Sequence, residues 1–300
     1  MSADLGLVMA RLGKVILGKE AQIRLALTCL LARGHLLIED IPGIGKTTLA
    51  KALAVVLGLD FKRVQFTNDL LPSDVLGVSV FDAPSSSFVF HPGPVFTNVL
   101  LADEINRGNP RTQSALLEVM EERQVSQDNE TRSLPSPFLV LATQNALDQA
   151  GTYPLPESQL DRFLFRISLG YPDLDSELEL LGRSQAGVQP VLPSAVMNKE
   201  QVLDRQLQVD TVATSKALLR YVRDLLDWTR GGRHFVNGLS PRAGQALVRA
   251  ARAWAYLDGR DYVLPEDVQA VFPSLAGHRL RATDGSVMDM AFVLDAVPIP

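Results

Sequence analysis

Three groups of residues have the types and spacing needed to move a phosphoryl group. The first is Ile41-Pro42-Gly43-Ile44-Gly45-Lys46-Thr47-Thr48. A glycine-containing loop that runs into a helix can wrap phosphate with successive backbone N–H groups and the positive end of the helix dipole. Lys46 then reaches the β- and γ-phosphates of a nucleotide, and the Thr47 hydroxyl is a ligand for Mg²⁺. The strict loop pattern has glycine five positions before Gly45, where this chain has Asp40; Gly43 supplies flexibility within the loop. The second group is Asp103-Glu104, which ends the apolar run Val99-Leu100-Leu101-Ala102. Asp103 can hold the Mg²⁺ shell, and Glu104 can polarise the attacking water as general base. The third is Thr143-Gln144-Asn145, where an amide at a strand end can orient water against the γ-phosphate.

Arginines supply the remaining charge. Arg162, in Leu160-Asp161-Arg162-Phe163, is a candidate finger for the charge on a transferring phosphoryl group, a role worth roughly 10³–10⁵ in rate. Arg166 is its rival. Arg242 follows Ser240-Pro241, a favourable N-cap and first-turn pair. A cation in a first helical turn opposes the macrodipole, so a nearby anion would explain its placement.

These groups need strands that end where helices begin. Lys19 to Arg33 reads as a helix stopped at Gly34, and Leu36-Leu37-Ile38 as a buried strand that feeds the loop. Leu49 to Leu57 reads as a helix that ends near Gly58, followed by a strand at Val64-Gln65-Phe66. Residues 70–97 form a Pro-, Gly- and Ser-rich insertion with a hairpin built from Val78-Ser79-Val80-Phe81 and Phe88-Val89-Phe90. Further strands are expected at 99–102 and at Phe138-Leu139-Val140-Leu141-Ala142, with a helix from Thr112 to Arg123 and a polar hairpin from Gln124 to Leu134. The alternation predicts a parallel α/β sheet. Near Tyr171-Pro172 the pattern turns helical: Leu174 to Arg183, Thr214 to Thr229, Pro241 to Leu257 and Pro265 to Val271, with a loop from Gly187 to Pro193. The expected division is a nucleotide-binding core over 1–170 and a smaller helical domain over 171–300.

Composition agrees with a water-facing globular chain: 300 residues, 46% hydrophobic and 21% charged. The net charge of −5 and the absence of a basic run disfavour a grip on nucleic acid. The one cysteine, Cys29, excludes an internal disulfide or a cysteine zinc cluster and suits a reducing cytoplasm. The four histidines are scattered. No stretch reaches the roughly 20 apolar residues that span a bilayer, and no targeting segment stands out.

The sequence resembles the MoxR family of AAA+ ATPases from about Val15 to Leu280. The resemblance rests on Gly34 to Thr48, Val64-Gln65-Phe66-Thr67, Asp69 to Asp74, Pro92 to Phe96, Ala102 to Arg107, Gln113 to Glu118, Ala142 to Asn145, Gly151 to Glu157, Leu160 to Phe163 and Ser240 to Ala243. It implies a P-loop AAA+ core with a parallel sheet, followed by an all-helical lid. It also implies Walker A at Lys46 and Thr47, Walker B at Asp103 and Glu104, sensor 1 at Asn145, a finger at Arg162 and sensor 2 at Arg242. Val15, Ile16 and Gly18 are implied to line the adenine pocket. The 70–96 hairpin is similar to the helix-2 insert of that clade, and 124–134 to its pre-sensor-1 hairpin. Asn68 and Ala146 replace a proline found in many relatives, and Asn129 a glycine. The family implies ATP and Mg²⁺ as cofactors and a homo-oligomeric ring, usually a hexamer. It further implies chaperone-like remodelling, a partner with a von Willebrand factor A-type domain, and a part in metal-cofactor insertion or complex maturation. In the expected arrangement Lys46, Thr47, Asp103, Glu104, Asn145 and Arg242 come from one subunit and Arg162 from its neighbour. A nucleic-acid motor or a magnesium-chelatase-like subunit on the same fold is the alternative reading.

Overall fold

Parallel strands buried on both faces need apolar side chains at every position, and that is how the centre of this sheet reads. In the computed structural model, which describes residues 3–145, 151–185, 193–232, 234–286 and 288–299, the chain builds that sheet early. Helices α1 (Ala3–Gly13) and α2 (Glu20–Leu31) lead to strand β1 (Leu36–Glu39); α3 (Lys46–Val56) follows, then β2 (Phe61–Gln65). A short helix α4 (Pro72–Leu76) opens the hairpin β3 (Gly77–Asp82) and β4 (Ser87–Pro92). Strand β5 (Val99–Asp103) passes through a 3-10 turn at Ile105–Arg107 into α5 (Pro110–Glu122). The hairpin β6 (Gln124–Gln127) and β7 (Glu130–Ser133) precedes β8 (Leu139–Gln144), α6 (Glu157–Leu160) and β9 (Phe165–Ile167). The described remainder is helical: α7 (Leu174–Gln185), α8 (Lys199–Asp210), α9 (Lys216–Arg230), α10 (Pro241–Leu257), α11 (Pro265–Ala276) and α12 (Ala291–Ala296).

The main sheet has the order β2-β5-β8-β1-β9, and each pairing is parallel. Alternation along the strands sends side chains into two cores. Leu36, Ile38, Val99, Leu101, Leu139 and Leu141 join the cluster that holds α1, α2, α3 and the later helices. Leu37, Leu100, Ala102, Val140 and Ala142 join a second cluster with Phe66, Leu116, Leu117 and Phe163. Edge strand β2 departs from this rule: only Val64 is buried, while Lys62, Arg63 and Gln65 are exposed. Charged edges of this kind resist pairing with a foreign strand.

Several boundaries differ from the sequence expectation for identifiable reasons. Helix α3 starts at Lys46 rather than Leu49, because Gly45 takes the left-handed conformation as its N-cap, at φ +95°. Helix α5 starts at Pro110, with the Asn109 side chain accepting from the Thr112 N–H. Helix α11 continues to Ala276, past Val271. Elements α1, α4, α6, α8, α12 and β9 were not anticipated. Most are short, but α1 buries Leu5, Val8 and Leu12, an i, i+3, i+7 stripe legible in principle. The expected loop at 187–193 lies outside the described residues except for Pro193, and so does Ala146.

The two hairpins meet each other. The Ser79 hydroxyl donates to the Asp128 carboxylate at 2.5 Å, and the Arg132 guanidinium lies 4.0 Å from the Phe90 ring centroid. Phe81 and Phe88 stack edge to face yet stay exposed.

Candidate active site

Parallel α/β sheets bind ligands beyond the carboxyl ends of their strands. Here β1, β5 and β8 end in register: Glu39 pairs with Gln144, and Gln65 of β2 with Asp103. A cleft of about 360 Å3 opens at these ends and is lined by Pro42, Gly43, Gly45, Lys46, Thr47 and Thr48 together with Arg63, Asp103, Glu104 and Asn145. Four separate segments thus converge on one place.

The loop's shape follows from its glycines. Gly43 and Gly45 have φ of +86° and +95°, values that a side chain disfavours, and a Cβ at either would meet nothing within 4 Å. Backbone conformation, not crowding, requires glycine there. Asp40 stands where the strict pattern has glycine, and it is not in the positive-φ region. Its carboxylate is an anchor instead: it accepts from the Gly170 N–H at 2.7 Å, the Ser168 hydroxyl at 2.8 Å and the Ile41 N–H at 2.9 Å. Burial pushes this carboxyl up, but the donors outweigh it and hold it below the ordinary aspartate range.

Lys46 is the first residue of α3 and half-buried. Its ammonium donates to the Asp40 carbonyl at 2.7 Å and to the Gln144 carbonyl at 3.5 Å. Burial lowers its proton affinity, opposed by Asp40, Asp103 and Glu104. A cation held at a helix start, facing carboxylates that line the same cleft, is a counter-charge for an anion.

Asp103 is buried. One carboxylate oxygen accepts from the Thr143 hydroxyl at 2.6 Å, and the other from Arg63 at 2.6 and 3.0 Å. Glu104 has φ of +54°, unusual for a side-chain-bearing residue, and its N–H donates to the Thr143 hydroxyl at 2.8 Å. Its carboxylate accepts from the Gln65 amide at 2.9 Å and pairs with Arg107 at 3.2 Å. Thr143 therefore fixes both acids at once. Asn145 follows β8 directly and lines the cleft. The Thr47 hydroxyl and the Asp103 carboxylate are hard oxygen donors on one cleft, the set that suits Mg²⁺. No cluster of three or more His, Cys, Asp or Glu occurs among the described residues. A cation carried by phosphates and one or two protein oxygens fits that pattern better than an all-protein cage.

Sequence reasoning missed Arg63 and Gln65. They sit two apart on β2, on the face opposite the buried Val64, and a polar pair at that spacing on an edge strand was the available signal.

Val15 and Ile16 are buried in the main hydrophobic cluster, against which Ile44 of the loop packs. Gly18 has φ of +64°, and a Cβ there would fall 2.5 Å from the Asp173 carboxylate. None of the three lines the Lys46 cleft.

Arg242 was expected beside Lys46 in the same chain, and the structure does not bring it there. It lies with Arg162 in a second cavity of about 380 Å3, which shares no residue with the first. Both arginines bind one carboxylate: Arg162 meets Glu121 at 3.0 Å and Arg242 meets it at 2.6 Å. Arg162 also donates to the Leu117 carbonyl at 2.6 Å. Gly34, His35 and Leu164, which precede β1 and β9, line this cavity. It therefore lies at the amino ends of those strands, whereas Asp40 and the loop follow the carboxyl end of β1. Six residues of extended chain separate Gly34 from Asp40, about 20 Å at the usual strand rise. The displacement follows from helix α10, whose Ser240-capped start is seated against the end of α5 by Glu121. Arg166 is engaged elsewhere: it pairs with Glu39 at 3.0 Å and donates to the Gly277 carbonyl at 2.8 Å, tying β9 to β1 and α11.

Comparison with known proteins agrees with this geometry. Residues 35–165 match the ATPase family associated with various cellular activities (AAA), and residues 229–292 match the AAA lid domain. The uncharacterised protein YeaC of Bacillus subtilis (strain 168) is 46% identical over 92% of this chain and 86% of its own length. Chaperone MoxR1 of Mycobacterium tuberculosis is 41% identical over 92% of this chain and 75% of its own length. A crystal structure from Cytophaga hutchinsonii, described as that of a candidate ATPase, superposes with a TM-score of 0.89 at 37% identity, covering 98% of this chain and 93% of that one.

Proposed function

The chain belongs to the MoxR family of AAA+ ATPases, and from that premise we propose that it hydrolyses ATP between the subunits of a hexameric ring to remodel a protein client. One observation carries the proposal: phosphate-binding loop and acids converge at the carboxyl ends of the strands, while Arg162 and Arg242 converge at the amino ends. A site split in this way is completed by a second copy placed head to tail, the contact type that closes into rings.

The roles follow from position. Backbone N–H groups of residues 43–47 and the start of α3 surround the phosphates, and Lys46 neutralises the β- and γ-oxygens. Thr47 and Asp103 would hold Mg²⁺, which offsets phosphate charge when bound. Glu104 takes the proton from the attacking water as its oxygen bonds to the γ-phosphorus; the bond to the bridging oxygen breaks, leaving ADP and phosphate. Gln65 and Arg107 hold that carboxylate until water is in place. Asn145 orients the water. Arg162 and Arg242 of the adjoining subunit stabilise charge on the transferring group, with Arg242 reassigned to the neighbour because its cavity lies across the sheet from Lys46. Val15, Ile16 and Gly18 border the adenine from the start of the chain.

The remodelling role draws on the resemblance to chaperone MoxR1 and on the two exposed hairpins, whose Phe81 and Phe88 offer an apolar grip. A partner with a von Willebrand factor A-type domain, and work in metal-cofactor insertion or complex maturation, extend the same resemblance. A cytoplasmic setting accords with a single cysteine, buried at Cys29. No helix among the described residues is long and apolar enough to cross a membrane.

Glu104→Gln tests the reading. It is expected to keep ATP binding while turnover falls by roughly 10²–10⁴; phosphate release at the wild-type rate would remove Glu104 as base.

A further inference from the structure

The second cavity contains more positive charge than two arginines acting on a neighbour require. Six guanidiniums line it: Arg33, Arg123, Arg162, Arg242, Arg249 and Arg279. The lining carboxylates are Glu121 and Asp161. Asp161 is spent on Arg279, at 2.6 Å, a pair whose guanidinium also donates to the Phe163 and Leu164 carbonyls and serves to brace the fold. Glu121 is shared by Arg162 and Arg242. Asp210, outside the lining, pairs with Arg33 at 2.8 Å. Six positive charges against three negative ones leave an excess of three. Among the described residues the Arg123 guanidinium donates to a carbonyl, that of Arg33 at 2.8 Å, and Arg249 forms no ion pair within 4 Å, Asp210 acting on it from farther away.

These groups are held together by the fold. Arg123 closes α5 in the left-handed conformation, at φ +55°. Arg33 ends the turn before β1. Arg242, Ala246 and Arg249 follow an i, i+4, i+7 spacing along α10, so they share one face over about 10 Å. Ala243 and Ala246 keep that face low and the cavity open. The crowding has a price in proton affinity. Loss of hydration, then the charges of Arg33 and Arg249, lowers Arg123; loss of hydration, then Arg33 and Arg242, lowers Arg249 against the opposing charge of Asp210, although Arg249 keeps access to solvent. Cations gathered in excess of their carboxylates are a receptor for an anion with several charges.

We propose that this cavity binds a multiply charged phosphate anion, with Arg249, Arg123 and Arg33 as its ligands beyond Arg162 and Arg242. The inference rests on the split-site reading where the anion is the polyphosphate of the adjoining subunit's nucleotide; a free polyphosphate ion is the other source of the same chemistry. Arg249 is the informative position, because its replacement breaks no ion pair and exposes no buried partner.

The test uses the full chain. In the first arm, protein carrying Lys46→Ala, diluted until it is a single chain by light scattering, is titrated calorimetrically with tripolyphosphate without magnesium. In the second, Arg249→Gln is placed in the otherwise native chain, and ATP-driven assembly and turnover are measured. The expected result is saturable binding that weakens about tenfold or more with Arg249→Gln or Arg123→Gln and is restored largely by Arg249→Lys. Turnover of the Arg249→Gln ring is expected to fall while nucleotide affinity of the single chain is unchanged. Binding with native assembly and turnover assigns the cavity to free polyphosphate. Impaired assembly or turnover, rescued by Arg249→Lys, without binding to the single chain assigns it to the neighbour's nucleotide. Absence of both effects overturns the proposal. The split-site reading fails separately: if complementary subunits do not restore each other while tripolyphosphate still binds, the cavity stands as an anion site and the division of the active site does not.

Discussion

Mixing two inactive variants separates an active site shared between subunits from one contained within a subunit. Lys46→Ala disables the phosphate cleft and Arg242→Ala the arginine cavity, and these stand at opposite ends of β1, about 20 Å apart along the chain. An arginine side chain spans well under half of that. Each variant alone is expected to lose roughly 10³-fold or more in turnover. In a ring mixed one to one at random, a productive contact needs an intact cleft from an Arg242→Ala subunit and an intact Arg242 from a Lys46→Ala subunit. Half of the positions supply each, so about one quarter of the contacts are productive in a head-to-tail ring. Phosphate release from the mixture is therefore expected near one quarter of the native rate, with the same result when Arg162→Ala replaces Arg242→Ala. If Arg242 served its own subunit, no mixed contact would be complete and the rate would stay at the level of the separate variants. That outcome, with mixed rings verified by size and by differential tagging, refutes the split site.

Other consequences concern stability. His35 is buried, its Nδ1 accepting the Val140 N–H and its Nε2 donating to the Met120 carbonyl, each at 3.0 Å. Burial lowers its pKa to about 4, helped by Arg123 and opposed by the Met120 carbonyl. An unfolded histidine protonates near 6.5, so between those values the unfolded chain binds a proton the native chain lacks. Stability is expected to fall by about 3 kcal/mol as pH drops from 6.5 to 4, and this component should vanish in His35→Gln; parallel denaturation profiles for the two proteins would contradict the assignment. Arg279→Met should lower stability by about 3 kcal/mol, since it strips a buried guanidinium from the Asp161 carboxylate and four backbone carbonyls. Chemical denaturation would detect it, and a loss below 1 kcal/mol would show that water replaces those bonds.

Much of the lining of the Lys46 cleft was legible because it is local. Residues 41–48 form a loop whose chemistry is written in eight consecutive positions, and Asp103-Glu104 and Asn145 mark the ends of uninterrupted apolar runs. The central strands β5 and β8 announce themselves in the same way, since burial on both faces leaves little room for polar residues. What escaped depends on long-range contact. The positions of Arg63 and Gln65 acquire meaning only when β2 pairs with β5 and sets Gln65 opposite Asp103. The three residues of β9 are too few to show a period, and the strand exists because it pairs with β1. The placement of Arg242 was misjudged for the same reason: its cap and first turn are readable, but which end of the sheet receives α10 is fixed by Glu121, over a hundred residues earlier. Asp40 shows the reverse case, a departure from a motif that weakens the match on paper and becomes an anchor to Ser168 and Gly170 once the chain is folded.

In the assembled ring, one subunit's triphosphate is expected to meet the next subunit's arginines. An experimental structure of the Glu104→Gln ring, assembled with ATP and magnesium, tests it most directly. The expected result is a triphosphate against Lys46 and Thr47 of one subunit, with the Arg162 and Arg242 guanidiniums of its neighbour within hydrogen-bond distance. A triphosphate contacted by Arg242 of its own subunit, or seated away from Lys46, would contradict it.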